Sequence, residues 1–142
     1  MGTSTIDQLM KLDRGKLLEV PTKKIRAKRL SALLGNKFYV TIKALPGDQY
    51  TELASVSTKK NGDFDAGKAR RAQGLIVLAG LVDPDPRNKE LMQHFGAETP
   101  KDLIEMLFPG GELTDVANEI GRLSGFVDEE EEDDEVEEEV KN

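Results

Sequence analysis

The 142-residue chain contains no cysteine, which excludes disulfides and thiolate metal sites and fits a reducing compartment. It has a single histidine, His94, so any histidine-based catalysis would rest on that residue and any metal site would have to be built from carboxylates. No serine sits in a nucleophile elbow, and no pair of acids is flanked by aromatics as in a sugar-binding cleft. No apolar run approaches the length of a membrane span, and the start M-G-T-S-T-I-D-Q-L-M lacks the basic region and apolar stretch of a signal peptide. These absences lead us to expect a soluble, intracellular, non-enzymatic protein with no cofactor. No internal repeat is visible.

What is present is unevenly charged. Residues 128–142 hold 11 of the 27 acids and one of the 20 bases, leaving 16 acids and 19 bases in residues 1–127, a net charge of +3. A run so rich in like charge cannot bury enough apolar surface to offset its self-repulsion, so we expect a disordered acidic tail at 128–142 behind a folded domain at 1–127. The length suits one domain with a sizeable core.

The most informative stretch is Thr99 to Phe126. Thr99 is placed to cap a helix, Pro100 suits the first helical position, and Asp102 lies in the first turn, where the helix dipole favours a negative charge. Pro109, Gly110 and Gly111 end that helix, and a second begins at about Glu112. Its apolar residues Leu113, Val116, Ala117, Ile120 and Leu123 follow three-and-four spacing, and Ser124-Gly125-Phe126 closes it. The opposite face carries Glu112, Asp115, Glu119 and Arg122, which suits water or a polar partner.

Elsewhere the pattern predicts a short helix capped by Ser4 or Thr5, with Ile6, Leu9, Met10 and Leu12 on one face and a break at Asp13-Arg14-Gly15. A strand is expected over Thr22 to Leu30, where Ile25 and Ala27 alternate with cations, then a helical turn from Ser31 to Gly35. Phe38 to Lys43 forms a second strand, giving a small antiparallel pair near the N-terminus. Helices follow over Asp48 to Val56, Asp65 to Leu81 and from Asn88 to Gly96, with a polar loop at Ser57 to Phe64 and a stop at Asp83-Pro84-Asp85-Pro86. The fold class is therefore α+β and mostly helical.

Three motifs compete for chemistry. Gly62 to Lys68 has the spacing of a phosphate-binding loop, but Ala69 stands where a hydroxyl would hold magnesium and no apolar strand leads into it. Asn61, Asp63 and Asp65 alternate like the start of a calcium loop, but Ala66 and Ala72 occupy the positions of its glycine and bidentate glutamate. Lys23, Lys24, Arg26, Lys28 and Arg29 form a basic strand that a small regulatory nucleic-acid-binding protein could use. Against that, Glu112, Asp115 and Glu119 on the second helix of the pair would repel phosphates, so a solvated strand face or the docking of an acidic segment is the better reading. The chain's own tail is one such segment.

The run P-G-G-E-L at Pro109 to Leu113, followed by L-S-G-F at Leu123 to Phe126, with F-G-A at Phe95 to Ala97 and T-P-K-D-L at Thr99 to Leu103, resembles the XkdN-like phage tail assembly chaperones. E-V-P-T at Glu19 to Thr22, Arg29-Leu30 and K-A-L at Lys43 to Leu45 resemble the same family's N-terminal half, so the likeness spans about residues 15–127. It departs from the family pattern in its two glycines at Gly110 and Gly111 and in the turn Pro46-Gly47-Asp48-Gln49. The resemblance implies a chaperone that binds the phage tape measure protein, keeps it soluble and helps recruit tail tube subunits. It implies action in the host cytoplasm and absence from the mature virion. A frameshifted longer form of the same chain is a further implied partner. On that reading, the expected client anchors are the apolar residues of the helical pair: Leu103, Leu107, Phe108, Leu113, Val116, Ile120, Leu123 and Phe126.

Overall fold

The computed structural model describes residues 4–57 and 65–126. The expected acidic tail lies outside the described residues, as do nearly all of the polar loop, the first three residues of the Gly62–Lys68 motif, and Asn61 and Asp63. What is described is mostly helical, with one three-stranded antiparallel sheet, as an α+β reading requires.

The chain begins with two short helices, α1 (Thr5–Met10) and α2 (Arg14–Leu17). Ser4 caps α1 by accepting from the Asp7 amide. The first helix does break off before Asp13, which then caps α2 through the Lys16 amide, so Arg14 and Gly15 belong to a new helix. Strand β1 (Thr22–Arg26) then pairs antiparallel with β2 (Tyr39–Lys43), with Ile25 opposite Val40 and Lys23 opposite Ile42. Between them lies α3 (Lys28–Leu34), closed by Gly35 at φ 79°.

The predicted strand over Thr22 to Leu30 is thus cut short at Arg26. The reason is Ser31, which is buried: its Oγ accepts from the Phe38 amide at 2.8 Å and donates to the Phe38 carbonyl at 3.2 Å. That seat holds a helical turn against the start of β2, where a continuing strand would run past it.

Next come α4 (Gly47–Ala54), a 3₁₀ turn over Ser55–Ser57, and the long α5 (Ala66–Gly80). Asp65 caps α5 by accepting from the Lys68 amide. Leu81 does not extend this helix as expected. Leu81–Asp83 forms a third strand, β3, on the far side of β2, giving the order β1-β2-β3. With β2 central, Val40 and Ile42 are sealed from solvent.

The remaining helices are α6 (Lys89–Phe95), α7 (Pro100–Leu107) and α8 (Gly111–Leu123). Asn88 caps α6. Thr99 and Asp102 cap α7 reciprocally: the Thr99 hydroxyl accepts from the Asp102 amide, and the Asp102 carboxylate accepts from the Thr99 amide. Gly110, at φ 60°, turns the chain from α7 into α8. At the end of α8, Gly125 at φ 86° lets the Phe126 amide reach Gly121 and its own amide reach Arg122, which satisfies two orphan carbonyls.

α5 packs against α4, α7 and α8, while α8 also touches β2. The core joins Ile25, Val40 and Ile42 of the sheet to Ile76 and Val77 of α5 and to the apolar faces of α7 and α8. The approach of α5 to α8 is made through a missing side chain. A Cβ on Gly80 would stand 2.7 Å from Ile120 Cδ1, so glycine is what lets the two helices meet there.

Candidate partner-binding surface

The structure brings the predicted anchors together, but on the inside. Leu103, Leu107, Phe108, Leu113, Val116 and Ile120 are all buried members of the hydrophobic core, and Leu123 packs partly buried against it. Phe126 alone among the eight is exposed, at 48%. The three-and-four stripe of α8 thus identifies a face that wants burial, and the sheet and α5 supply that burial within the same chain. In this conformation the six buried residues hold the fold and offer no surface to a client.

Phe126 is not a free anchor either. Its ring stacks on Tyr50 of α4 at 4.7 Å between centroids and 15° between planes, and it lies over Gly47. Burial beside this ring raises the Tyr50 phenol above its ordinary pKa, because the phenolate loses hydration. Next to it, Ser124 Oγ accepts from the Leu45 amide at 2.9 Å and donates to the Ile120 carbonyl at 2.7 Å. This fastens the end of α8 to the chain just beyond β2.

The polar face of α8 has a partner that periodicity could not name. Glu119 is 7% exposed, with one carboxylate oxygen 3.2 Å from Lys23 Nζ on β1 and the other 2.9 Å from Arg122 on its own helix. Lys23 is thereby withdrawn from the basic cluster, because it shares a sheet face with Ile25 and points toward the helices. The expected nucleic-acid strand is split in consequence. Lys24 and Arg26 lie on the outer face of β1, while Lys28 and Arg29 belong to the first turn of α3.

The surface with the clearest capacity for an apolar partner is the N-terminal arm. Every residue from 4 to 22 is exposed. Ile6, Leu9 and Met10 of α1 are 71%, 57% and 79% exposed at three-and-four spacing, and Leu12, Leu17, Leu18 and Val20 continue the apolar character. The apolar stripe on this short helix was legible in the sequence; that it stands exposed was not.

His94 sits in the last turn of α6 with its ring edge-on to Phe95 at 4.7 Å. It borders an open depression shared with Asp83, Asp85 and Glu90. Asp85 is engaged by the Arg87 amide, and among the described residues no three His, Asp or Glu side chains converge as a metal site would need. Among the described residues, too, no helix is long and apolar enough to cross a membrane.

Comparison with known proteins agrees with this architecture. In the crystal structure of the protein YqbN, 92% of that chain superposes on 80% of this one with a TM-score of 0.58 at 22% identity, a likeness of fold. No curated protein matches the sequence. The model of the phage XkdN-like tail assembly chaperone proteins matches residues 6–141, from the exposed arm through the acidic run. The chain therefore belongs to the XkdN-like family of phage tail assembly chaperones.

Proposed function

We propose that this chaperone binds the tape measure protein of its phage, holds that protein's apolar helical segments in solution, and helps bring tail tube subunits to it. It acts in the host cytoplasm and leaves before the virion is complete. Residues 1–127 form the chaperone body, and residues 128–142 are an acidic tail. The observation that carries this reading is the exposed stripe Ile6, Leu9 and Met10. Seven large apolar side chains over residues 6–20 that stand exposed are costly in water, and an amphipathic client helix would cover them. The contact is helix on helix, with anchors at three-and-four spacing on both partners.

Co-expression with the tape measure protein of the same phage is the test. The client should become soluble and co-purify with the full chain, and the Leu9→Ser, Met10→Ser double variant should lose both effects. Failure of the unaltered chain to solubilise or retain the client would remove the reading.

A longer form of the chain, made by frameshifting near its end, belongs to the same proposal. The Glu-rich run implies purine-rich codons of the kind that slip. A gene with no slippery run and no overlapping frame would exclude it.

A further inference from the structure

We propose that the acidic tail, residues 128–142, docks in cis on the outer face of the sheet. Pairing places Thr22 opposite Lys43, Lys24 opposite Thr41 and Arg26 opposite Tyr39. These six side chains share the face turned away from Ile25, Val40 and Ile42. Lys24, Lys43 and Arg26 give that face three cations, and among the described residues none of the three has an ion-pair partner. A carboxylate, Asp83, stands opposite Thr41 on β3. Arg26 Nε is closed off from solvent and has no hydrogen-bond partner among the described residues. A buried donor of this kind is costly until an acceptor reaches it. Lys28 and Arg29 extend the positive charge past the end of β1.

The tail is the occupant for two reasons. The first is charge: 11 acids in 15 residues meet a surface of cations. The second is where the chain leaves the core. Ser124 is bonded to the Leu45 amide, and Ala44 donates to the Pro21 carbonyl, so the end of α8 lies beside the Thr22–Lys43 end of the sheet. From there a five-residue strand measures roughly 17 Å, whereas 15 residues can extend to about 50 Å. The described chain therefore ends near one end of the sheet, on the face opposite the cations, and 15 extended residues are long enough to round the edge strand and pass Lys24, Arg26 and the start of α3. Docked there, the tail would screen the face from other polyanions until a partner displaced it.

The chain has no cysteine, so one placed in the tail can be labelled uniquely. Val136→Cys in the full chain, carrying a nitroxide, keeps every tail charge. At low salt the label should broaden the amide signals of Lys24, Arg26, Thr41 and Lys43. The broadening should fade near 1 M salt, where screening acts over about 3 Å. It should also be lost in the Lys24→Glu, Lys43→Glu variant, whose core amide shifts report that the fold is kept. Absence of broadening at these amides in low salt would overturn the proposal. So would broadening that disappears when the labelled chain is diluted with excess chain carrying neither isotope nor nitroxide, since that assigns the tail to a second copy.

Discussion

Lys23 Nζ stands 3.2 Å from Glu119 Oε2, across 96 residues of sequence. The contact ties the edge strand β1 to the last described helix and explains how a carboxylate can sit 7% exposed in a helix face that otherwise meets water. Arg122, 2.9 Å from the other oxygen, completes the set. Removing the acid leaves two cations facing each other in a partly closed site.

Glu119→Ala should therefore cost about 1–3 kcal/mol, below the cost in a fully buried pair because both cations still reach solvent. Lys23→Ala should cost less, since Arg122 remains on the carboxylate. A double-mutant cycle by urea denaturation should show a coupling of roughly 1 kcal/mol. Additive losses would mean that the pair contributes nothing as a pair.

Gly80→Ala should destabilise the protein by about 1–3 kcal/mol, because the new methyl meets Ile120 Cδ1 at 2.7 Å and Cγ2 at 3.0 Å. Ile120→Val removes the nearer atom and alone costs about 0.5–1.5 kcal/mol. The double variant should be more stable than the two losses predict when added. Equal or worse stability in thermal unfolding would show that the helices separate instead of meeting at this point.

Tyr50 titrates above its ordinary value near 10 because burial penalises the phenolate. A group that holds its proton more tightly when folded contributes fully below the unfolded pKa, and that contribution is lost as pH rises through the folded one. Stability should thus fall above about pH 10 by more in the unaltered protein than in Tyr50→Phe. Phe126→Ala, which removes the stacked ring, should move the ultraviolet titration of Tyr50 back toward the ordinary value and cost about 0.5–1.5 kcal/mol. An unchanged titration would place the desolvation elsewhere.

Arm and core should separate cleanly. Ile6→Ser or Leu9→Ser should change folding stability by no more than about 0.5 kcal/mol, because those side chains are exposed. Leu113→Ala, at a fully buried site, should cost about 2–5 kcal/mol. If the proposed client contact is right, the arm variants lose client solubilisation while keeping full stability. Retained solubilisation would send the search to another surface.

Local chemistry was read well from the chain because its causes are local. Ser4, Asn88 and Thr99 cap the helices that follow them, and Gly35, Gly96, Gly110 and Gly125 take positive φ where turns or helix ends required it. The β1–β2 pair also followed from alternation over neighbouring segments. Strand β3 escaped because three residues directly after a helix carry no period, and their pairing with β2 is made about 40 residues away.

Burial by a distant partner is what the sequence alone could not assign. The stripe Leu113, Val116 and Ile120 and the stripe Ile6, Leu9 and Met10 have the same spacing, yet the first is core and the second open. Glu119 and Glu112 share a polar face, yet Lys23 reaches only the first. Periodicity states that a helix has two unlike sides, since that depends on residues three and four apart. Which side meets a sheet, a lysine or water depends on segments far along the chain, and only the tertiary structure brings those together.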